Sequence, residues 1–247
     1  MRLMRAALHV KFLACLAGVA LAGCAREEAP TRALEPAPAP EPAPVYDALP
    51  RLYVAFPEKL DPACRDGKAR LFDRCTDQLA LFDQARNRAK AEGKTLLVEY
   101  GAEWCIWCHV FAAHIKGEHG RFRYTYGSPD APEERDTATF VEGKWADANA
   151  AQELAEYVAA SFVVVHIDLE YAPNGAAVLE STGALAHYTR SVPYIFTVDS
   201  GGRFSARFQH DPAERRRDGV LDWYRGYDRR NLLEQLKAMR EAASVGR

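Results

Sequence analysis

Cys105 and Cys108 are spaced C-x-x-C in the run Lys94-Thr-Leu-Leu-Val-Glu-Tyr-Gly-Ala-Glu-Trp-Cys-Ile-Trp-Cys-His109, after a short apolar strand pattern and at the start of a helical one. That placement suits dithiol chemistry. A thiolate at a helix N-terminus meets unpaired backbone N–H groups and the positive end of the macrodipole, so its pKa falls and it becomes nucleophilic. Cys105, which opens the helix, is expected to be the more exposed sulfur and the nucleophile. Cys108, one turn on, is expected to be buried and to resolve a mixed disulfide from behind. Trp104 and Trp107 flank the thiols as an apolar rim for peptide substrates. His109 lies four residues after Cys105 on the same helix, where a protonated ring would stabilise the thiolate and a surface histidine would do nothing. His114 reads as a packing or surface residue.

Two other chemistries fit the same letters. Cys105-Ile-Trp-Cys108-His109 is a literal C-x-x-C-H, the attachment signature of c-type haem. A cytochrome needs a distal ligand, however, and Met239 in a terminal helical stretch is the one Met beyond residue 4. Zinc or copper on Cys105, Cys108 and His109 lacks a second C-x-x-C to complete the ligand set. The expectation is therefore no cofactor and no metal.

The first fifty residues do not read as domain material. Met1-Arg-Leu-Met-Arg5 is a basic start, Ala6–Ala20 is largely apolar, and Leu21-Ala-Gly-Cys24 comes next as a small-residue cleavage site. That last run resembles a bacterial lipobox, which implies a signal over residues 1–23 and an acylated Cys24 anchored in a lipid membrane. By the same resemblance, Ala25 after the cysteine implies the outer membrane over the inner. Residues 24–50 are rich in Ala, Pro and Glu, which cannot bury a core and favours polyproline II. At about 3.1 Å per residue, roughly twenty such residues reach up to about 60 Å. This is a tether, and residues 51–247 form the domain. With Cys15 leaving in the signal and Cys24 acylated, two cysteine pairs remain. In an exported chain Cys64 and Cys75 read as a structural disulfide around the Asp66-Gly67 turn signal, with a second redox pair relaying electrons as the rival. A net charge of −2, from 34 acidic against 32 basic residues, argues against nucleic acid.

Periodicity supplies the elements. Leu71–Glu92 reads as a helix capped by Gly93, Thr95–Tyr100 as a central strand, and Trp107–Lys116 as a helix. Residues 117–144 break the pattern with Gly, Pro, charges and four aromatics, Phe122, Tyr124, Tyr126 and Phe140; this is an insertion whose aromatics pack on the domain or face a partner. Ala146–Ser161 is a helix, Phe162–Asp168 a buried strand, Ala176–Leu185 a short helix and Tyr194–Val198 a strand. Arg203–Phe208 returns as a hairpin, and Asn231–Ala243 closes the chain as an amphipathic helix. The fold class is α/β, a central mixed sheet flanked by helices, with an N-terminal extension and a long insertion after the active-site helix.

Three runs together resemble the thioredoxin superfamily: Val98-Glu-Tyr-Gly-Ala-Glu-Trp-Cys105, Val192-Pro193 before a strand, and the turn Asp199-Ser-Gly-Gly202. The resemblance covers roughly residues 76–243. It implies a thioredoxin-like fold, a cis-proline loop in which Pro193 faces the dithiol, and a free Val192 backbone for a substrate strand. It also implies that Glu99, six residues before Cys105, is a buried acid exchanging a proton with Cys108. The family's usual Asp is Glu here, and the lysine that often accompanies it is replaced by Val164. The activity implied is that of a thiol-disulfide oxidoreductase of the periplasm, exchanging disulfides with cysteine-bearing envelope proteins. Ala102-Glu-Trp-Cys105 resembles reducing members more than oxidising ones, which calls for a membrane electron donor. The rival is a thioredoxin-like binding or assembly module with a slow or vestigial dithiol.

Overall fold

Three apolar runs make the centre of the molecule. In the computed structural model, which describes residues 53–65, 67–127, 134–217 and 224–245, the strands Thr95–Gly101 (β2), Phe162–Asp168 (β5) and Tyr194–Val198 (β6) are buried along their whole length. Their Val, Ile, Leu and Phe content suits strands covered on both faces. With Ala55–Phe56 (β1) and Phe204–Arg207 (β7) they form one sheet in the order β1-β5-β2-β6-β7. β5 runs parallel to β1 and β2, whereas β6 is antiparallel to β2 and β7, so the sheet is mixed. The expected signal, the tether and Cys24 lie outside the described residues.

Alternation along the strands sorts side chains to two layers. Leu96, Val98, Tyr100, Val163, Val165 and Ile167 pack with Leu81, Phe82 and Ala85 of Gln78–Ala91 (α1) and Val178 and Leu179 of Gly175–Thr182 (α4). Leu97, Phe162 and Val164 pack on the other side. Their partners there come from Ile106–Ile115 (α2), Ala148–Ser161 (α3) and Arg229–Val245 (α6), the last through Leu232, Leu233, Leu236 and Met239. Each fully buried side chain of this size contributes about 1.5–3 kcal/mol. The Asp199 turn is built as its residues suggest. Its Oδ1 accepts the N–H groups of Gly201 and Arg203, both at 2.9 Å, and Gly202 takes φ +84°, which favours glycine.

Three stretches depart from the sequence expectation. The first helix begins at Gln78, not Leu71, because residues 71–77 have better local partners. Asp73 Oδ1 accepts the N–H groups of Cys75 (2.8 Å) and Thr76 (2.9 Å), and Asp77 caps the helix by accepting from Ala80 N–H at 3.1 Å. The insertion is a hairpin, Arg121–Gly127 (β3) with Arg135–Val141 (β4), followed by a 3₁₀ turn at Gly143–Trp145. Its Phe122 and Phe140 are buried and stacked at 5.5 Å, so these two pack on the domain. A second hairpin, absent from the sequence reading, comes after the short helix His210–Ala213 (α5): Glu214–Arg217 (β8) against Tyr224–Tyr227 (β9).

Cys64 and Cys75 are joined, closing the loop ahead of α1, with Cα atoms 5.9 Å apart. Replacing both by serine is expected to cost about 2–4 kcal/mol of unfolding free energy, the usual worth of such a link. A urea titration of the otherwise oxidised protein reads this directly.

Candidate active site

β2 ends at Gly101, a position where no side chain fits. A Cβ on Gly101 would lie 2.5 Å from Cys108 Sγ and 3.0 Å from Cζ of Phe72. Beyond the following turn, Cys105 stands as the N-cap of α2, its Sγ accepting the Cys108 N–H at 3.1 Å. The two sulfurs are bonded, with Cα atoms 5.2 Å apart. Cys105 is 2% exposed and Cys108 fully buried, so Cys105 is the more exposed sulfur by a narrow margin. Leu71, Phe72 and Ala112 share their buried cluster, and Trp104, Trp107 and Val192 pack against it while staying partly exposed.

The Val192–Pro193 peptide is cis, and Pro193 is buried. The His210 ring hydrogen-bonds the Pro193 backbone, and its Nδ1 lies 3.4 Å from the Tyr227 hydroxyl. Tyr227 in turn packs on Trp107 with ring centres 5.3 Å apart. Trp104 is held from the other side, its Nε1–H donating to Glu170 Oε2 at 2.9 Å. Both tryptophans of the rim are therefore fixed by partners outside the motif.

Glu103, two residues before Cys105, is a hub the sequence did not reveal. Its carboxyl accepts the backbone N–H groups of Arg70 (2.9 Å), Leu71 (3.1 Å) and Phe72 (3.2 Å), which straps that segment over the cysteines. Its carbonyl accepts from Gly127 N–H (2.9 Å) at the end of β3 and from His109 Nε2 (2.8 Å). His109 is thus neither a surface residue nor a cation. It is buried, stacked on Tyr124 at 5.5 Å, and burial pushes its pKa down to about 4. A neutral ring at physiological pH gives the thiolate no charge, so a protonated His109 beside Cys105 is corrected. His114 is buried too, its Nδ1–H donating to Val110 carbonyl at 2.9 Å and its Nε2 accepting from Tyr227 N–H at 3.2 Å.

Glu99 is fully buried at the middle of β2, and burial raises its pKa well above the usual carboxyl range, opposed by the Lys116 charge. Its register partner on β5 is His166, not Val164, and Glu99 Oε2 lies 2.7 Å from His166 Nδ1. The one sequence cue was a polar residue interrupting the apolar run of β5. Among the described residues, no group of three or more His, Cys, Asp or Glu is placed to hold a metal ion.

Strand order, the N-capping cysteine and the opposed cis-proline loop define a thioredoxin-like fold with a C-x-x-C disulfide. No protein-family model matches the sequence, and no curated protein matches it. Among solved structures the chain is similar to DsbH oxidoreductase, at 12% identity and TM-score 0.35, over 72% of this chain and 90% of that one. It is also similar to the oxidised C-terminal domain of Neisseria meningitidis DsbD, at 19% identity and TM-score 0.30, over 69% of this chain and 99% of that one. At these scores the overlap carries no argument of its own, and the fold assignment rests on the topology and the site.

Proposed function

We propose that the protein is a thiol-disulfide oxidoreductase that reduces disulfides in envelope proteins. The observation that carries this reading is the placing of Cys105 Sγ at the head of α2, beside the cis Val192–Pro193 loop. In the reduced protein the backbone N–H of Cys108 and the helix end favour the Cys105 thiolate. That thiolate attacks one sulfur of a substrate disulfide, and the other substrate sulfur leaves as a thiolate. Cys108, deprotonated with Glu99 as acceptor, then attacks Cys105 Sγ and expels the second substrate sulfur. Two electrons have passed to the substrate, and the Cys105–Cys108 disulfide remains for a donor dithiol to reduce. Trp104, Trp107 and the Val192 backbone are the surface that receives the substrate strand. Acylated Cys24 would hold the protein on the periplasmic side of a membrane, the outer one by its Ala25, within reach of a membrane-borne electron donor. The His109 Nε2–H bond to the Glu103 carbonyl counts against haem, since that nitrogen would have to ligate iron.

A second reading, a binding module with a slow dithiol, draws on the burial of Cys105. The reduction potential of the Cys105/Cys108 pair tests the direction of the first. Equilibration in glutathione buffers, with thiol trapping and mass spectrometry to separate this pair from Cys64/Cys75, is expected to give about −230 mV or lower. A value of about −120 to −180 mV overturns the reductase in favour of an oxidase or isomerase.

A further inference from the structure

Below Cys108 lies a buried layer of three side chains, Phe72, His166 and Glu99. Cys108 Sγ fills the space over Gly101, Phe72 closes against the same spot, and the Phe72 ring meets the His166 ring edge-on at 5.9 Å. His166 reaches Glu99 at 2.7 Å. Glu99 precedes Gly101 by two residues on the same strand face, about 6–7 Å along the strand. Two buried atoms of the pair, Glu99 Oε1 and His166 Nε2, have no hydrogen-bond partner among the described residues.

A carboxyl alone in such a dry layer stays protonated and cannot take a proton from a thiol. A neutral N–H donor changes that, because a hydrogen bond to the charged form favours it. The surrounding groups keep His166 from acting as a cation. Burial first, then the charge of Lys116 at the end of α2, hold the His166 ring neutral. Tyr53 ahead of β1 and Tyr227 on β9 also face Glu99, and burial keeps both hydroxyls protonated. With Oε2 against His166 Nδ1, Oε1 is the open oxygen.

We propose that His166 is a positioning residue for the second half of the exchange, donating Nδ1–H to Glu99 so that Glu99 Oε1 accepts the Cys108 proton. The inference rests on the thiol-disulfide reading of the site and goes beyond it by giving Glu99 a partner. In the step, the Cys108 S–H bond breaks and its proton moves to Glu99. The thiolate forms a bond to Cys105 Sγ, and the substrate sulfur leaves with the electron pair and takes a proton from water.

An aryl disulfide such as 5,5′-dithiobis(2-nitrobenzoate), mixed with the reduced full-length protein, separates the two steps. The first arylthiolate released reports mixed-disulfide formation at Cys105, and the second reports attack by Cys108. In His166→Leu the second phase is expected to slow about ten-fold or more at neutral pH, a part of the roughly 10²–10⁴-fold that general-base catalysis contributes, and its pH profile to move upward. The first phase keeps its rate. His166→Asn, whose amide N–H stands near the place of Nδ1–H, is expected to restore the second phase. A second phase in the leucine variant equal to wild type overturns the inference and leaves the thiol-disulfide function standing. No release of either arylthiolate by the wild-type protein overturns both. If the leucine variant does not fold, nitrogen NMR of the unmodified protein decides. A neutral ring carrying its proton on Nδ1 supports the proposal, and an Nε2–H tautomer or an imidazolium overturns it.

Discussion

Cys105→Ser is expected to reduce disulfide exchange with protein substrates to the uncatalysed rate, while Cys108→Ser is expected to capture those substrates covalently. The two cysteines lie three residues apart, yet their surroundings differ. Cys105 caps α2 beside the partly exposed Trp104, Trp107 and Val192. Cys108 is closed in by Gly101 and Phe72. A lone Cys105 can form a mixed disulfide but has no neighbour to release it, so the conjugate accumulates. A lone Cys108 has no such approach. Non-reducing gels of envelope extracts incubated with each reduced variant read both outcomes. Exchange that survived in Cys105→Ser would move the chemistry to Cys64 and Cys75, of which Cys75 is exposed. Binding that survived with wild-type exchange already absent would favour the binding module.

Glu142→Leu is expected to destabilise the protein by about 3–5 kcal/mol, the cost of leaving a buried charge without its partner. Glu142 comes directly after β4, and its carboxyl accepts from Arg229 Nη2 at 2.7 Å, from Gly120 N–H at 2.6 Å and from the Tyr224 hydroxyl at 3.3 Å. Arg229 also donates to the carbonyl of Glu118, and both charged side chains are buried. One ion pair thus ties the inserted hairpin to the start of α6 and to β9. A loss of this size lowers the thermal midpoint by roughly 6–20 °C for a domain of this length. The double variant Glu142→Leu/Arg229→Leu is expected to recover much of the loss, because no charge is then stranded. Equal midpoints for the single and double variants would show that the lost packing, not the charge, set the cost.

The legibility of each segment in the sequence depended on its physics. β5 and β6 match their expected limits, and β2 gains only Gly101, because continuous apolar runs leave a chain few other places to go. Residues 71–77 misled, since Leu71 and Phe72 fit a helical spacing while Asp73, a disulfide and Glu103 hold them otherwise. The inserted hairpin carried a readable signal in Arg121-Phe-Arg-Tyr-Thr-Tyr126, which alternates as a strand does. β8 and β9 offer no such alternation. At the site, the cysteine pair could be read from spacing and the proline from resemblance. Glu103, His166 and His210 could not, because each takes its meaning from a partner distant in the chain: Phe72, Glu99 and Tyr227.

The walls around α2 have a consequence for the order of events. Every residue from Cys108 to Ile115 is buried, between the strap at Leu71–Phe72, the inserted hairpin and the sheet. Among the described residues, Trp104, Ile106, Trp107 and Val192 are the partly exposed neighbours of the sulfurs. Under the proposed function, a donor and a substrate must each come to Cys105 across that one rim, and they cannot share it. The two half-reactions therefore alternate, and the electrons wait between visits as a pair of thiols inside the protein. Each molecule is then a reservoir with room for two electrons, and the flow it sustains is bounded by how often it can be emptied and refilled.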